Sequence, residues 1–239
     1  VDLPRRSELD ALFLDAGNTL IAMDSTLVCE VLASEGVAVT PPAFERAEAA
    51  SRPALSAFLH AGVTSESRGT FTFHVRAILG HLGVSGDLDA LAHRLVVTVK
   101  TTVATQRLWS RVLPGVPEAL AAFRAAGLRL IVVSNSDGTV EQGLTDAGLR
   151  PLLDAVVDSA VVGVEKPAPG IFEAALRIAN VPPRRVLHVG DLWAADVVGA
   201  RGVGLHAVLL DPYDDWHDVD CARVADLSAL ARQLLGPTS

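Results

Sequence analysis

Short apolar runs alternate along this chain with longer stretches in which apolar positions recur every three to four residues. The runs are ALFLD (11–15), LRLIVVS (128–134), DAVVDS (154–159), RVLHVG (185–190) and GLHAVLL (204–210). Each is rich in Val, Leu or Ile, the pattern of a strand buried on both faces. Between the later runs lie helical patterns. PEALAAFRAAG is amphipathic and closes on Gly127, placed as a C-cap, and GTVEQGLTDAG ends the same way at Gly148. PGIFEAALRIAN and WAADVVGARGVG follow in the same manner. Strand and helix in alternation predict parallel βαβ units, an α/β fold.

The stretch from about residue 24 to 110 has a different rhythm. Helical patterns are predicted over 25–35, 42–60, 69–83 and 87–108, with turn signals such as TPP and VSGD between them. RLVVTVK is locally β-rich but lies inside the last helical pattern and is read as helix. No strand is expected here. The predicted organisation is a parallel-sheet core made of residues 1–22 and 111–239. An all-helical cap, residues 23–110, interrupts it after the first strand.

Composition narrows the classes. Of 239 residues, 50% are hydrophobic and 20% charged, enough apolar material for a sizeable core. The formal net charge is −8, and the only adjacent basic pairs are Arg5-Arg6 and Arg184-Arg185. Such a chain repels polyphosphate backbones, so no nucleic-acid partner is expected. The opening VDLPRRSELD lacks the apolar centre of a signal peptide, and no apolar run approaches the ~20 residues that span a bilayer. No membrane partner is expected, and the predicted compartment is cytoplasmic. Cys29 and Cys221 are far apart and in no metal-ligand spacing, consistent with two reduced thiols. The loop 211–220, DPYDDWHDVD, carries five aspartates but lacks the Gly and terminal Glu of a calcium loop, so a solvated acidic loop is expected. Only two lysines, Lys100 and Lys166, stand against 18 arginines.

Four of the predicted strands end in polar groups. The first gives Asp15, Asn18 and Thr19. The second gives Ser134 and Asn135. The third is followed by Lys166, and the fourth by Asp191 and Asp196. In a parallel α/β sheet the carboxyl ends of the strands share one edge, where ligands bind, so these groups should converge.

The segments DAGNT (15–19), VVSNS (132–136), EKP (165–167) and GDLWAAD (190–196) resemble, in order, the four motifs of the haloacid dehalogenase-like (HAD) hydrolase superfamily. The likeness covers nearly the whole chain, and the helical block falls where members with a small helical cap carry it. The resemblance implies a Rossmann-like core, an aspartate nucleophile and, in most members, Mg²⁺-dependent phosphoryl transfer from a small phosphate ester. Carried onto this sequence, it makes Asp15 the nucleophile that forms an aspartyl-phosphate. Asp15 and Asp191 would supply carboxylates to Mg²⁺, with the Gly17 carbonyl as a further ligand and Asp196 as a water-mediated ligand or orienter. Thr19 and Ser134 would donate to phosphate oxygens, flanked by Asn18 and Asn135. Lys166 would stabilise charge in the transition state.

Gly17 departs from the pattern. Phosphatases of this family place there an Asp that protonates the leaving oxygen and then activates water, help worth about 10²–10⁴-fold. Glycine keeps the backbone carbonyl and loses the acid, and an ester with a good leaving group needs less protonation. Three readings stay open. The leading one is a Mg²⁺-dependent phosphatase with atypical acid–base chemistry. The second is a haloacid dehalogenase, which needs neither the acid nor the metal but also lacks the acid found here as Asp191. The third is a weak member that binds a phosphorylated ligand or a partner. A phosphonate hydrolase would need a cap lysine, and Lys100 lies late in the cap. In the cap, Glu45, Arg46 or one of His60, His74, His81 and His93 could face the site on closure. Asp24, at the hinge, is a candidate substitute acid. His188 is read as a packed core histidine.

Overall fold

The computed structural model describes residues 2–60, 68–102 and 108–236. The side chains of His60 and Lys100 are outside the described set. The apolar runs become β1 (Ala11–Leu14), β4 (Arg129–Ser134), β5 (Ala155–Asp158), β6 (Val186–Gly190) and β7 (His206–Leu210). With β8 (Ala222–Val224) they form one six-stranded sheet in the order β5-β4-β1-β6-β7-β8, and every pairing is parallel.

The period of two along β1 divides two cores. Leu12 and Leu14 face a layer that includes Leu120 and Phe123 of α5 (Val116–Ala125) and Leu230 of α8 (Leu227–Leu235). Ala11 and Phe13 face the other side, with Ile171, Phe172 and Ala175 of α7 (Pro169–Ala179). Between β4 and β5 lies α6 (Val140–Asp146). The result is a helix–sheet–helix, Rossmann-like α/β fold.

Among the described residues, four helices lie in the stretch between β1 and α5: α1 (Ser25–Ser34), α2 (Pro41–His60), α3 (Arg68–His81) and α4 (Leu88–Thr102). They share a core of their own, which includes Leu32, Phe44, Ile78, Leu79 and Leu95. RLVVTVK is helical within α4. Asp24 caps α1, accepting from the backbone N–H of Thr26 at 3.0 Å and Leu27 at 3.1 Å.

Four elements differ from expectation. β2 (Ile21–Met23) and β3 (Trp109–Val112) pair antiparallel at the base of the helical block. The sequence pattern carried helix to 108 and placed no strand before 110. WSRV is short and only half-buried, and its partner is remote in sequence, so no local periodicity announces it. β8 is three residues with Arg223 at its centre, and it also passed unseen. The segment after β6 winds as a π-helical turn, Trp193–Val198, before a short α turn, Gly199–Gly202. Single π turns of this kind often accompany functional sites. Among the described residues, no helix is long and apolar enough to cross a membrane.

Candidate active site

From β1 the chain steps to β4 and β5 on one side, then returns to β6, β7 and β8 on the other. The reversal falls between β1 and β6, the place where an open α/β sheet leaves a crevice. Leu14 pairs with both Val132 and Val189, so Asp15, Ser134 and Asp191 emerge along one edge. The Asp15 N–H donates to the Val189 carbonyl at 2.8 Å. The chain then folds tightly. Asn18 takes φ +52°, and the N–H groups of Leu20 and Ile21 both donate to the Ala16 carbonyl.

A buried charge cluster spans the edge. Lys166 Nζ donates to Asp15 Oδ1 at 2.6 Å and to Asp196 Oδ1 at 2.7 Å. The same Asp196 oxygen lies 2.9 Å from His188 Nε2, while Asp196 Oδ2 accepts the Leu192 N–H at 3.0 Å. Asp196 therefore aims Lys166. Gly190 makes room for it, because a Cβ there would land inside the Asp196 carboxylate. Asn135 holds the Lys166 backbone at two points. Its Oδ1 accepts the Lys166 N–H at 2.7 Å, and its Nδ2 donates to the Lys166 carbonyl at 2.9 Å.

The helical block reaches the same edge. Asn18 Nδ2 donates to Glu48 Oε1 at 2.9 Å and to Asp191 Oδ2 at 3.1 Å. Arg52 Nη2 donates to Glu48 Oε2 at 2.5 Å, and Arg52 Nε lies 3.4 Å from Asp191 Oδ2. His74 Nε2 stands 3.6 Å from Glu48 Oε1. One helical turn beyond Arg52, Ser56 Oγ accepts the Ala194 N–H at 2.8 Å.

Burial shapes the electrostatics. It pushes Asp15 up to about 6, with Lys166 opposing and Asp196 adding to the push. Burial pushes Asp191 further, to about 8; Arg52 opposes, and Asp15, Asp196 and Glu48 add to it. Asp196 goes the other way: burial would raise it, but Lys166 and His188 hold it below the usual carboxylate range. Burial would lower Lys166, and Asp15 and Asp196 outweigh it and raise the ammonium. His188 and His74 are held low, chiefly by burial. The edge thus carries more buried negative charge than its own cations neutralise.

Asp15, Gly17, Asn18, Ser134, Asn135, Lys166, Asp191 and Asp196 all line one cavity of about 340 Å³. Thr19 does not. It lines a neighbouring cavity of about 260 Å³, and its buried Oγ1 has no hydrogen-bond partner. Beside Gly17 stands Trp109, and a Cβ on Gly17 would come 3.3 Å from its ring carbon Cζ3. Gly17 is not in the left-handed region, so its backbone conformation does not demand glycine. The constraint comes from the indole ring, which would have to give by a few tenths of an ångström to admit a side chain.

Of the other cap candidates, His74 lines the site cavity. Arg46 pairs instead with Asp215 at 2.6 Å and stacks over Tyr213, joining α2 to the acidic loop. Glu45 accepts from Ser25 Oγ at 2.7 Å. His81 and His93 are exposed. The acidic loop is organised by Asp211, which accepts the N–H groups of Asp215 and Trp216 and pairs with Arg223. Sequence reasoning missed Glu48, Arg52 and Trp109. A signal for the first two existed: Phe44, Ala47, Ser51, Leu55 and Leu59 mark the buried stripe of α2, and Glu48 and Arg52 lie on it. Trp109 had no such signal.

A family model of haloacid dehalogenase-like hydrolases matches residues 9–204. The chain belongs to that family. Haloacid dehalogenase-like hydrolase domain-containing protein 3 of Xenopus laevis is 42% identical over 109 residues, 46% of this chain and 44% of that protein. The match thus spans less than half of that vertebrate protein's length. Ribulose-1,5-bisphosphate 5-phosphatase of Halopiger xanaduensis is 30% identical over 179 residues, 72% of this chain and 69% of that one. Among solved structures, the HAD-hydrolase YfnB of Bacillus subtilis, bound to magnesium, superposes with a TM-score of 0.65 at 17% identity over 95% of this chain and 99% of that one. At that identity the likeness concerns the fold.

Proposed function

We propose that this chain is a Mg²⁺-dependent phosphatase that hydrolyses a small phosphate ester through Asp15, with residues 23–110 acting as a cap over the core formed by 1–22 and 111–239. The observation that carries the reading is the Lys166 ammonium held 2.6 Å from Asp15 and 2.7 Å from Asp196. It places a fixed positive charge beside the nucleophile, where transferring phosphoryl oxygens need it. The phosphatase names among the relatives support the same chemistry.

The donor chemistry fits Mg²⁺. Asp15, Gly17 and Asp191 line one cavity wall and offer hard oxygens, and the carboxylates of Asp15, Asp196 and Glu48 crowd negative charge around Asp191. Among the described residues, no three His, Cys, Asp or Glu side chains are grouped to hold an ion alone. Mg²⁺ commonly binds through one or two carboxylates and keeps waters, so no such group is needed. When bound, it would neutralise charge between nucleophile and phosphate.

The chain's own residues do the rest. An Asp15 oxygen forms the bond to phosphorus as the ester oxygen leaves. Ser134 and Asn18, with Asn135 behind them, hold and shape the phosphate subsite, and Thr19, on the neighbouring cavity, stays outside it. Asp196 keeps Lys166 aimed. The test is hydrolysis of 4-nitrophenyl phosphate. It should require Mg²⁺, stop with chelator and vanish in Asp15→Asn. Chelator-insensitive halide release from a 2-haloacid, with no ester cleavage, would identify a dehalogenase instead.

A further inference from the structure

Beyond the strand-end edge, the site cavity has a large apolar wall, with Thr70, His74, Ser136 and Thr139 as further polar lining. Leu55, Leu59, Phe71, Val99, Leu108 and Trp109 line it together with the polar edge. Lys166 is the one Lys or Arg on that wall among the described residues, and Asp15 and Asp196 engage it. Burial shifts the pKa of His74, the other basic side chain on the wall among the described residues, below its ordinary value and so disfavours its cation. Among the described residues the cavity therefore offers no unengaged Lys or Arg to a second anionic group, and its apolar side chains favour a body with few polar groups.

The leaving-group side is equally constrained. Gly17 supplies no acid, and the indole of Trp109 fills the space beside it. Asp137, the remaining carboxylate on the wall, is exposed and accepts the Thr139 hydroxyl at 2.5 Å. Among the described residues, no carboxyl outside the nucleophile and metal set is placed to protonate a departing ester oxygen, which suits leaving groups that are stable as anions.

Resting on the phosphatase reading above, we propose that the substrate class is an aryl phosphate monoester with an uncharged apolar body, its ring lodged against Trp109. Asp15 forms an O–P bond and the aryl O–P bond breaks. The aryloxide departs with the electron pair and takes its proton from solvent. Water then adds to phosphorus, the Asp15 O–P bond breaks, and inorganic phosphate and the free carboxylate remain, the water's proton passing to phosphate or solvent.

Two measurements on the Mg²⁺-supplemented full chain test this. First, kcat/KM is compared across substituted phenyl phosphates and butyl phosphate. It should fall steadily as the phenol pKa rises, and butyl phosphate should lag 4-nitrophenyl phosphate by more than about 10³-fold, roughly the help a general acid supplies. Second, phenylphosphonate should compete at least ~10-fold more tightly than methylphosphonate, in keeping with ring burial. Trp109→Ala should erase that preference and Trp109→Phe should keep most of it. Alkyl esters cleaved as fast as aryl esters, a dependence on phenol pKa that is flat, or equal binding of the two phosphonates would overturn the substrate class while leaving the phosphatase intact. Failure to cleave any ester with Mg²⁺ would overturn both.

Discussion

Arg52 and Asp191 meet across the boundary between the helical block and the sheet, with Arg52 Nε 3.4 Å from Asp191 Oδ2. Arg52 also binds Glu48 through Nε and Nη2, so one buried guanidinium serves two carboxylates. A helix of the block is thereby tied to the residue at the mouth of β6.

The first prediction follows from that shared cation. Arg52→Met leaves Glu48 and Asp191 buried without it, and breaking a buried pair typically costs about 3–5 kcal/mol. Urea unfolding should show a loss of that order, with Glu48→Gln/Arg52→Met recovering much of it. Titration calorimetry should show tighter Mg²⁺ binding in the double variant, because Arg52 no longer competes for Asp191. Unchanged Mg²⁺ affinity would contradict the competition.

Gly17 and Trp109 make a paired prediction. Gly17→Asp alone forces the ring, 3.3 Å from the new carbon, to give way, an overpacking that typically costs about 1–3 kcal/mol. Gly17→Asp/Trp109→Leu gives the carboxyl room. Turnover of alkyl phosphates should then rise over Trp109→Leu by up to about 10²–10⁴-fold, the range of acid–base help. A folded double variant with no gain would mean that the missing acid does not limit the rate.

Gly190→Ala tests the aiming of Lys166. The added carbon occupies the place of the Asp196 carboxylate, so Asp196 must move and Lys166 loses one partner. Turnover of 4-nitrophenyl phosphate should drop by at least ~10²-fold, in line with loss of a preorganised charge. A nearly unchanged kcat would refute the role given to Asp196.

Protonation of His74 gives a pH prediction. Its folded-state pKa lies below the ordinary 6.5, chiefly through burial. A depressed pKa contributes stability that is present above the unfolded value and is lost as pH falls through the folded value. The stability advantage of the wild type over His74→Gln should therefore be greatest above pH 6.5 and shrink below it. Thermal unfolding of both proteins from pH 8 to 5 would show it, and a constant gap would sink the assignment.

Much of this architecture was legible because it is local. Five apolar runs gave five of the six sheet strands, and the polar residues closing them gave Asp15, Ser134, Lys166, Asp191 and Asp196. Strand periodicity and strand-end chemistry are written in consecutive residues. Thr19 shows the limit of that logic: it follows Asn18 in the motif, yet the left-handed turn at Asn18 carries it to the wall of another cavity. Asn135 likewise holds the loop of Lys166 with both ends of its amide.

The sequence by itself determined the α/β class, the polar strand-end edge and the absence of an acid at position 17, since each depends on residue type and short-range spacing. Only the tertiary structure decided what stands beside Gly17 and what reaches Asp191. β3 brings Trp109 to the loop after β1 by pairing with β2, and α2 delivers Glu48 and Arg52 by packing onto the sheet edge. Those contacts join residues far apart in the chain: the periodic stripe of α2 can mark Glu48 and Arg52 as buried, but nothing local names the partner that each meets.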